Sequence, residues 1–179
     1  MWVTALFAPW ICFRRFVAER DQTQAVGFTF VVVTVFLSFG AIFNTVEYPV
    51  FGGFPAISFL IWIALVALIA APVAVHLVAL VATLVLMAIA PDRGRVSETV
   101  QAIAISLAPI VLIAVPLDFI QLLGALYGTL LLVYGFMVVH QTTFIRGLLA
   151  GVIPAYLLFG IGFGVNEVVR SYLLEWAII

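Results

Sequence analysis

The stretch AISFLIWIALVALIAAPVAVHLVALVATLVLMAIA, from Ala56 to Ala90, carries no charged residue. As one helix rising 1.5 Å per residue it would measure about 52 Å, against roughly 30 Å of bilayer hydrocarbon that some 20 residues cross. Such a run is either one long crossing, tilted or bent at Pro72, or two short ones joined near that proline. The rest of the chain agrees with a membrane setting. Of its 179 residues 66% are hydrophobic and 8% charged, and the mean hydropathy is +1.35. Seven basic and eight acidic side chains cannot cover the surface of a water-soluble domain, for which about a quarter charged residues is usual. A formal net charge of −1 offers no basic field for nucleic acid, and the single cysteine, Cys12, permits neither an internal disulfide nor a cysteine metal cluster. The fold class expected is all-α, a polytopic membrane protein whose first partner is the lipid bilayer.

Working outward, the charges mark the loops. Ala25 to Phe43 is a first span, followed by the turn-rich segment Asn44 to Pro55 with its Gly52-Gly53 pair. After the long run comes the loop Pro91 to Glu98, in which Ser97 is the expected helix N-cap. Thr99 to Leu117 is a third long span. A turn at Pro116-Leu117 leads to Asp118, expected to cap a further span over 119–139 with Gln121 completing a capping box. The segment His140 to Arg146 reads as a loop, Gly147 to Val165 as the last span, and 167–179 as a short tail. The expected organisation is a leader over 1–24 and one transmembrane domain over 25–166.

Arginine placement resolves the long run, because cytoplasmic loops are enriched in basic residues. If 56–90 crosses once and the N-terminus is cytoplasmic, Arg14, Arg15, Arg20, Arg93, Arg95 and Arg146 all lie inside and only Arg170 outside. Two crossings would reduce that split of six to one to four against three. Five spans are therefore expected, over 25–43, 56–90, 99–117, 119–139 and 147–165.

The leader is too apolar for a tail in water. A helix opening at Pro9 puts Trp10, Cys12, Phe13, Phe16 and Val17 mostly on one side and Arg15 and Glu19 opposite, so Trp10, Phe13, Arg14, Arg15 and Phe16 are read as an interfacial amphipathic helix. No charged region precedes an apolar core with a small-residue cleavage site, so a cleaved signal is not expected.

His76 is the one ionisable residue within an apolar run, a candidate intramembrane polar site for a proton or ligand, or simply a hydrogen bond to a neighbouring helix. His140 is expected to complement the end of its span, and Asp118 to serve as a cap. Gly124, Gly128 and Gly135, then Gly147 and Gly151, then Gly160 and Gly164, follow spacings that let helix backbones approach, within the chain or between copies. Pro72, Pro109 and Pro154 are read as kinks. No zinc-protease pair, serine elbow, phosphate-binding loop or paired intramembrane aspartate is found in the sequence, so no catalytic residue, cofactor or metal site is expected.

The aromatic leader ending in Phe13-Arg14-Arg15-Phe16, the loop Gly94 to Thr99, the run Glu98-Thr99-Val100-Gln101 to Ser106-Leu107-Ala108-Pro109, and Tyr134-Gly135 to His140 together resemble the Yip family of Rab-interacting multi-pass membrane proteins, in its prokaryotic form. That resemblance implies a five-span protein with a cytoplasmic N-terminus. There are departures: Asp92-Arg93 stands where members often have a Gly pair, Ile105 where they have Tyr, and the eukaryotic Asp-Leu-Tyr-Gly-Pro signature is missing, so a GTPase of the Rab type is not an expected partner. The expectation is a non-enzymatic membrane-organising or adaptor component, in the plasma membrane of a prokaryote, associating with itself or another membrane protein. The alternative is a small transporter or channel component that uses His76 and its proline-broken helices.

Overall fold

The computed structural model describes residues 2–19, 22–90 and 94–175. The protein is an all-α polytopic membrane bundle, and no strand occurs among the described residues. Its helices are α1 (Trp2–Phe7), α2 (Pro9–Glu19), α3 (Gln22–Ile42), α4 (Pro55–Leu65), α5 (Ala71–Ile89), α6 (Val96–Ser106), α7 (Ile110–Ile113), α8 (Asp118–Val139), α9 (Phe144–Ala155) and α10 (Val165–Glu175). Two π-helical segments, π1 (Val66–Ala70) and π2 (Tyr156–Gly162), continue α4 into α5 and extend α9. Four helical stretches are long and apolar enough to cross a bilayer: 23–42, 55–89, 118–139 and 144–162.

The charge-free run is one continuous helix of 35 residues, Pro55–Ile89, as the arginine count requires. The helix widens into π1 just ahead of Pro72, where the Ala71 amide bonds back five residues to the Val66 carbonyl. A proline removes one rung of the ordinary four-residue ladder, and a wider turn accommodates its ring. Only 22% of this helix's most apolar stretch is buried against 50% for α8, so it forms an outer wall and α8 an inner one.

The expected span over 99–117 is not a single helix. Pro109 lacks an N–H, and the backbone tightens to three-residue bonds ahead of it, Leu107 to Ala104 at 3.2 Å and Ala108 to Ile105 at 3.0 Å, before α7 resumes. The element still passes through the bundle, since its start meets the end of α8 and its end meets the end of α3. Gly94 N–H donates to His140 Nδ1 at 3.0 Å, and Thr45 Oγ1 donates to the Ala114 carbonyl at 2.9 Å. Every residue from Glu98 to Ile110 is buried, which makes α6 the hub on which α2, α3, α5 and α8 pack. Irregular backbone at this depth is tolerated because protein surrounds it.

Two caps differ from their expected places. The residue preceding α6 is Arg95 rather than Ser97, and the Glu98 carboxylate accepts the Arg95 N–H at 2.8 Å. Asp118 is exposed in the first turn of α8, where its charge still complements the helix start, but Leu117 is the capping position. Gln121 donates to the Val115 carbonyl at 3.0 Å and so forms no capping box. The expected tail contains α10, which packs on α8 and π2.

The leader is helical, as two helices broken at Ala8-Pro9, and α2 packs on α6 and α8. Trp10 is half exposed and Arg14 and Arg15 are exposed, but Cys12 and Phe13 are buried. The Phe16 side chain lies outside the described residues. Tyr127, midway along α8, donates its hydroxyl to the Leu6 carbonyl, so α1 reaches the middle depth of the bundle. Burial pushes the Cys12 thiol above its ordinary pKa, against the opposing pull of Arg15. Because the thiolate is the reactive form, N-ethylmaleimide is expected to leave Cys12 unmodified in native membranes at pH 7 and to modify it after denaturation in SDS. Rapid labelling of the native protein would show α2 lifted off the bundle.

Candidate functional site: a buried polar junction at one end of the bundle

The residues that stand far apart in sequence at Phe13, Gly94 to Thr99 and Tyr134 to His140 come together where α6 begins and α8 ends. His140, 2% exposed, is their centre. Its Nδ1 accepts the Gly94 N–H, so the proton of the neutral ring sits on Nε2, which donates to Thr99 Oγ1 at 3.2 Å. Thr83 on α5 lies 3.4 Å from the Thr99 hydroxyl and spends its own hydrogen on the Ala79 carbonyl at 2.7 Å. Thr83 Oγ1 also offers that hydrogen to Thr99 Oγ1, whose own hydrogen goes to the Arg95 carbonyl at 3.5 Å. Three helices and one loop are joined in a chain of donors and acceptors whose side chains His140, Thr99 and Thr83 are buried.

His140, expected to complement the end of its span, holds the Gly94 amide and the Thr99 hydroxyl there. Gly94 is required here by a close approach, since a Cβ would run into the Glu98 carboxylate and stand 3.0 Å from the Val139 carbonyl. Glu98 is itself 7% exposed and its carboxylate holds the Arg95 amide. One turn inward, Phe13 meets Tyr134 edge to face with ring centroids 5.6 Å apart, and its ring fills the space that a Gly135 side chain would take. The leader thereby plugs the junction from the side.

The remaining sequence-predicted residues lie elsewhere. His76 is on the exposed face of α5, its Nδ1 2.7 Å from the Pro72 carbonyl one turn back. Because a carbonyl only accepts, that nitrogen carries a proton. The buried face of α5 consists of Val75, Val78, Ala79, Ala82, Thr83 and Leu86, and His76 is not on it. The glycines are used within the chain. An ideal Cβ on Gly124 would lie 3.1 Å from Leu112 of α7, and one on Gly128 would lie 2.6 Å from Phe159 Cε1 of π2. On Gly147 and Gly151 it would meet Val133 of α8 at 3.1 and 3.2 Å. Gly160 faces the Tyr156 ring of its own segment, and Gly164, at φ +73°, makes the turn into α10.

Sequence reasoning did not find Thr83, which has no signal beyond being a hydroxyl in an apolar run. Nor did it find the pairing of Gly94 with His140, 46 residues apart. Among the described residues no three His, Cys, Asp or Glu side chains group as metal ligands would. Arg14, Arg15, Arg95 and Arg146 lie toward the His140 end of the bundle, and Arg170, with Glu167 at 3.8 Å, toward the other. Compared with known proteins, the chain matches no protein-family model, no curated protein and no solved structure.

Proposed function

We propose that this chain is a prokaryotic protein of the Yip type, a non-enzymatic membrane adaptor or scaffold, with the His140 end of its bundle in the cytoplasm of a plasma membrane. One observation carries the reading. Three of the stretches in which the sequence resembles that family, at Phe13, Gly94 to Thr99 and Tyr134 to His140, meet at a single junction, where Glu98, Thr99 and His140 bond one another and backbone. Donors and acceptors engaged in this way fix the relation of helices. The exposed arginines around the junction support the cytoplasmic assignment by the positive-inside rule. What the protein offers its surroundings is the long apolar wall of α4, π1 and α5 and a basic rim. These are surfaces for a helix partner and a protein or headgroup partner. No nucleic-acid partner and no cofactor belong to this reading.

Crosslinking in the native membrane at natural expression level, followed by capture of the tagged protein and mass identification, tests it. A stoichiometric membrane-protein partner is the expected result. A protein that stays strictly monomeric and partnerless in membranes, nanodiscs and mild detergent would remove the adaptor reading.

A further inference from the structure

A second feature lies toward the opposite end of the bundle. A cavity of about 540 Å³ runs between α3, the π1–α5 wall, α7 and π2. That volume falls within the range of roughly 300 to 1,000 Å³ typical of small-molecule sites. Space is created by small residues at helical spacing on the outer wall, Ala70, Ala71 and Ala74, and by Gly162 across from them. Both π-helical segments line it, as does Leu107 in the unwound turn between α6 and α7. Departures from regular helix are confined at membrane depth to places that protein covers or that line a cavity, and π turns are frequent at functional sites. Here all three fall on one cavity.

The cavity's chemistry is graded along its length. Deep within it are aliphatic and aromatic side chains such as Val33, Leu37 and Leu158. Its polar side chains are Thr45 and Gln121, at the end where α3 finishes and α8 begins, and Trp62 of α4, whose buried indole N–H has no hydrogen-bond partner among the described residues. Gln121 gives one amide hydrogen to Val115 and keeps a second to give. The walls are helices that cross the membrane, so the medium beside the cavity is lipid hydrocarbon rather than water. An apolar slot at acyl depth with hydrogen-bonding groups at its membrane-surface end is complementary to a molecule that is a hydrocarbon chain with a polar head.

We infer that this cavity is a lipid site, taking one acyl chain of a membrane lipid between α3, π1 and π2 with its polar head beside Thr45 and Gln121. The junction takes no part in this site, and although Ala70 and Ala74 are exposed on the wall that the adaptor reading offers to a partner, an adduct map of the wild-type protein reads the cavity interior whether or not a partner binds that wall.

The test uses the full chain in phosphatidylcholine vesicles doped with a phosphatidylcholine that bears a diazirine midway along one chain. After irradiation, adducts are mapped by peptide mass spectrometry. Leu37 and Leu158, 4% and 5% exposed, report on the interior, and Leu77 and Leu84, 59% and 58% exposed, on the outer wall. Adducts on Leu37 and Leu158 at least equal to those on Leu77 and Leu84 are expected. Loss of the interior adducts to the level of the unirradiated sample is expected in Ala74→Phe and independently in Ala70→Phe, with outer adducts kept. Leu77→Phe should leave the interior adducts as they were. Adducts confined to the outer wall, or interior adducts indifferent to both filling variants, would overturn the site. The wild-type map decides alone if neither filling variant folds.

Discussion

Replacing Gly128 by valine will destabilise the protein by about 1 to 3 kcal/mol, the usual cost of forcing extra atoms into a filled interior. The reason is local. Gly128 sits where α8 meets π2, and the Phe159 ring, 2% exposed, occupies the place of its missing side chain. That ring is closed in by neighbours, including Phe163 at a centroid distance of 6.3 Å, so it cannot turn aside cheaply. Truncating Phe159 to alanine alone leaves a cavity and costs about 3 to 5 kcal/mol. Together the two changes will cost less than their sum, with a coupling of about 0.5 to 3 kcal/mol, because valine fills part of what the ring vacates. SDS titration of refolded protein in mixed micelles measures all four corners of the cycle. Strict additivity would show that Gly128 and Phe159 are not the contact that closes π2 onto α8.

The second large effect is expected at His140. His140→Ala takes the acceptor from the half-buried Gly94 N–H and leaves one bond of the buried Thr99 unmade, at about 1 to 3 kcal/mol for a buried group left without a partner. His140→Asn separates the two, because its Oδ1 stands close to the position of Nδ1 and can accept the Gly94 amide while the bond to Thr99 is lost. Stability should fall in the order wild type, Asn, Ala. Hydrogen exchange should find the Gly94 amide protected in the first two and fast in the third. Equal stability of the two variants with an unchanged Gly94 amide would mean that the histidine only fills space.

Much of the bundle was legible because the length of an uncharged run is a direct physical measure of a crossing. The helices α3 and α8, α9 together with π2, and the helix over 55–89, begin and end within about three residues of the expected spans. Pro109 was legible as a bend but not as a break. The run around it is uniformly apolar, and hydropathy does not register a backbone that changes its hydrogen-bond ladder. Cap positions slipped for a similar reason. A carboxylate such as Glu98 selects a backbone amide in space, and Ser97 offered a conventional cap that the chain did not use. The leader's two-sided pattern identified a helix with an apolar face, and the face's counterpart is a hole at Gly135 that no local pattern announces. His76 shows the same limit in reverse. An ionisable residue in an apolar run is visible at once, while the side of the helix it occupies depends on which neighbours pack around Val75 and Val78.

The contact between Leu6 and Tyr127 spans 121 residues, and it orders events in time. The leader leaves the ribosome first, yet the groove that receives Phe13 does not exist until both α6 and α8 have been made and paired. At roughly 5 to 20 residues per second the leader must wait about 6 to 24 s after its own synthesis before it can dock. During that interval Phe13 and Cys12 have no place in the bundle. Docking of α1 and α2 is therefore a late step of assembly, in which an earlier-made part of the chain closes on a groove made after it.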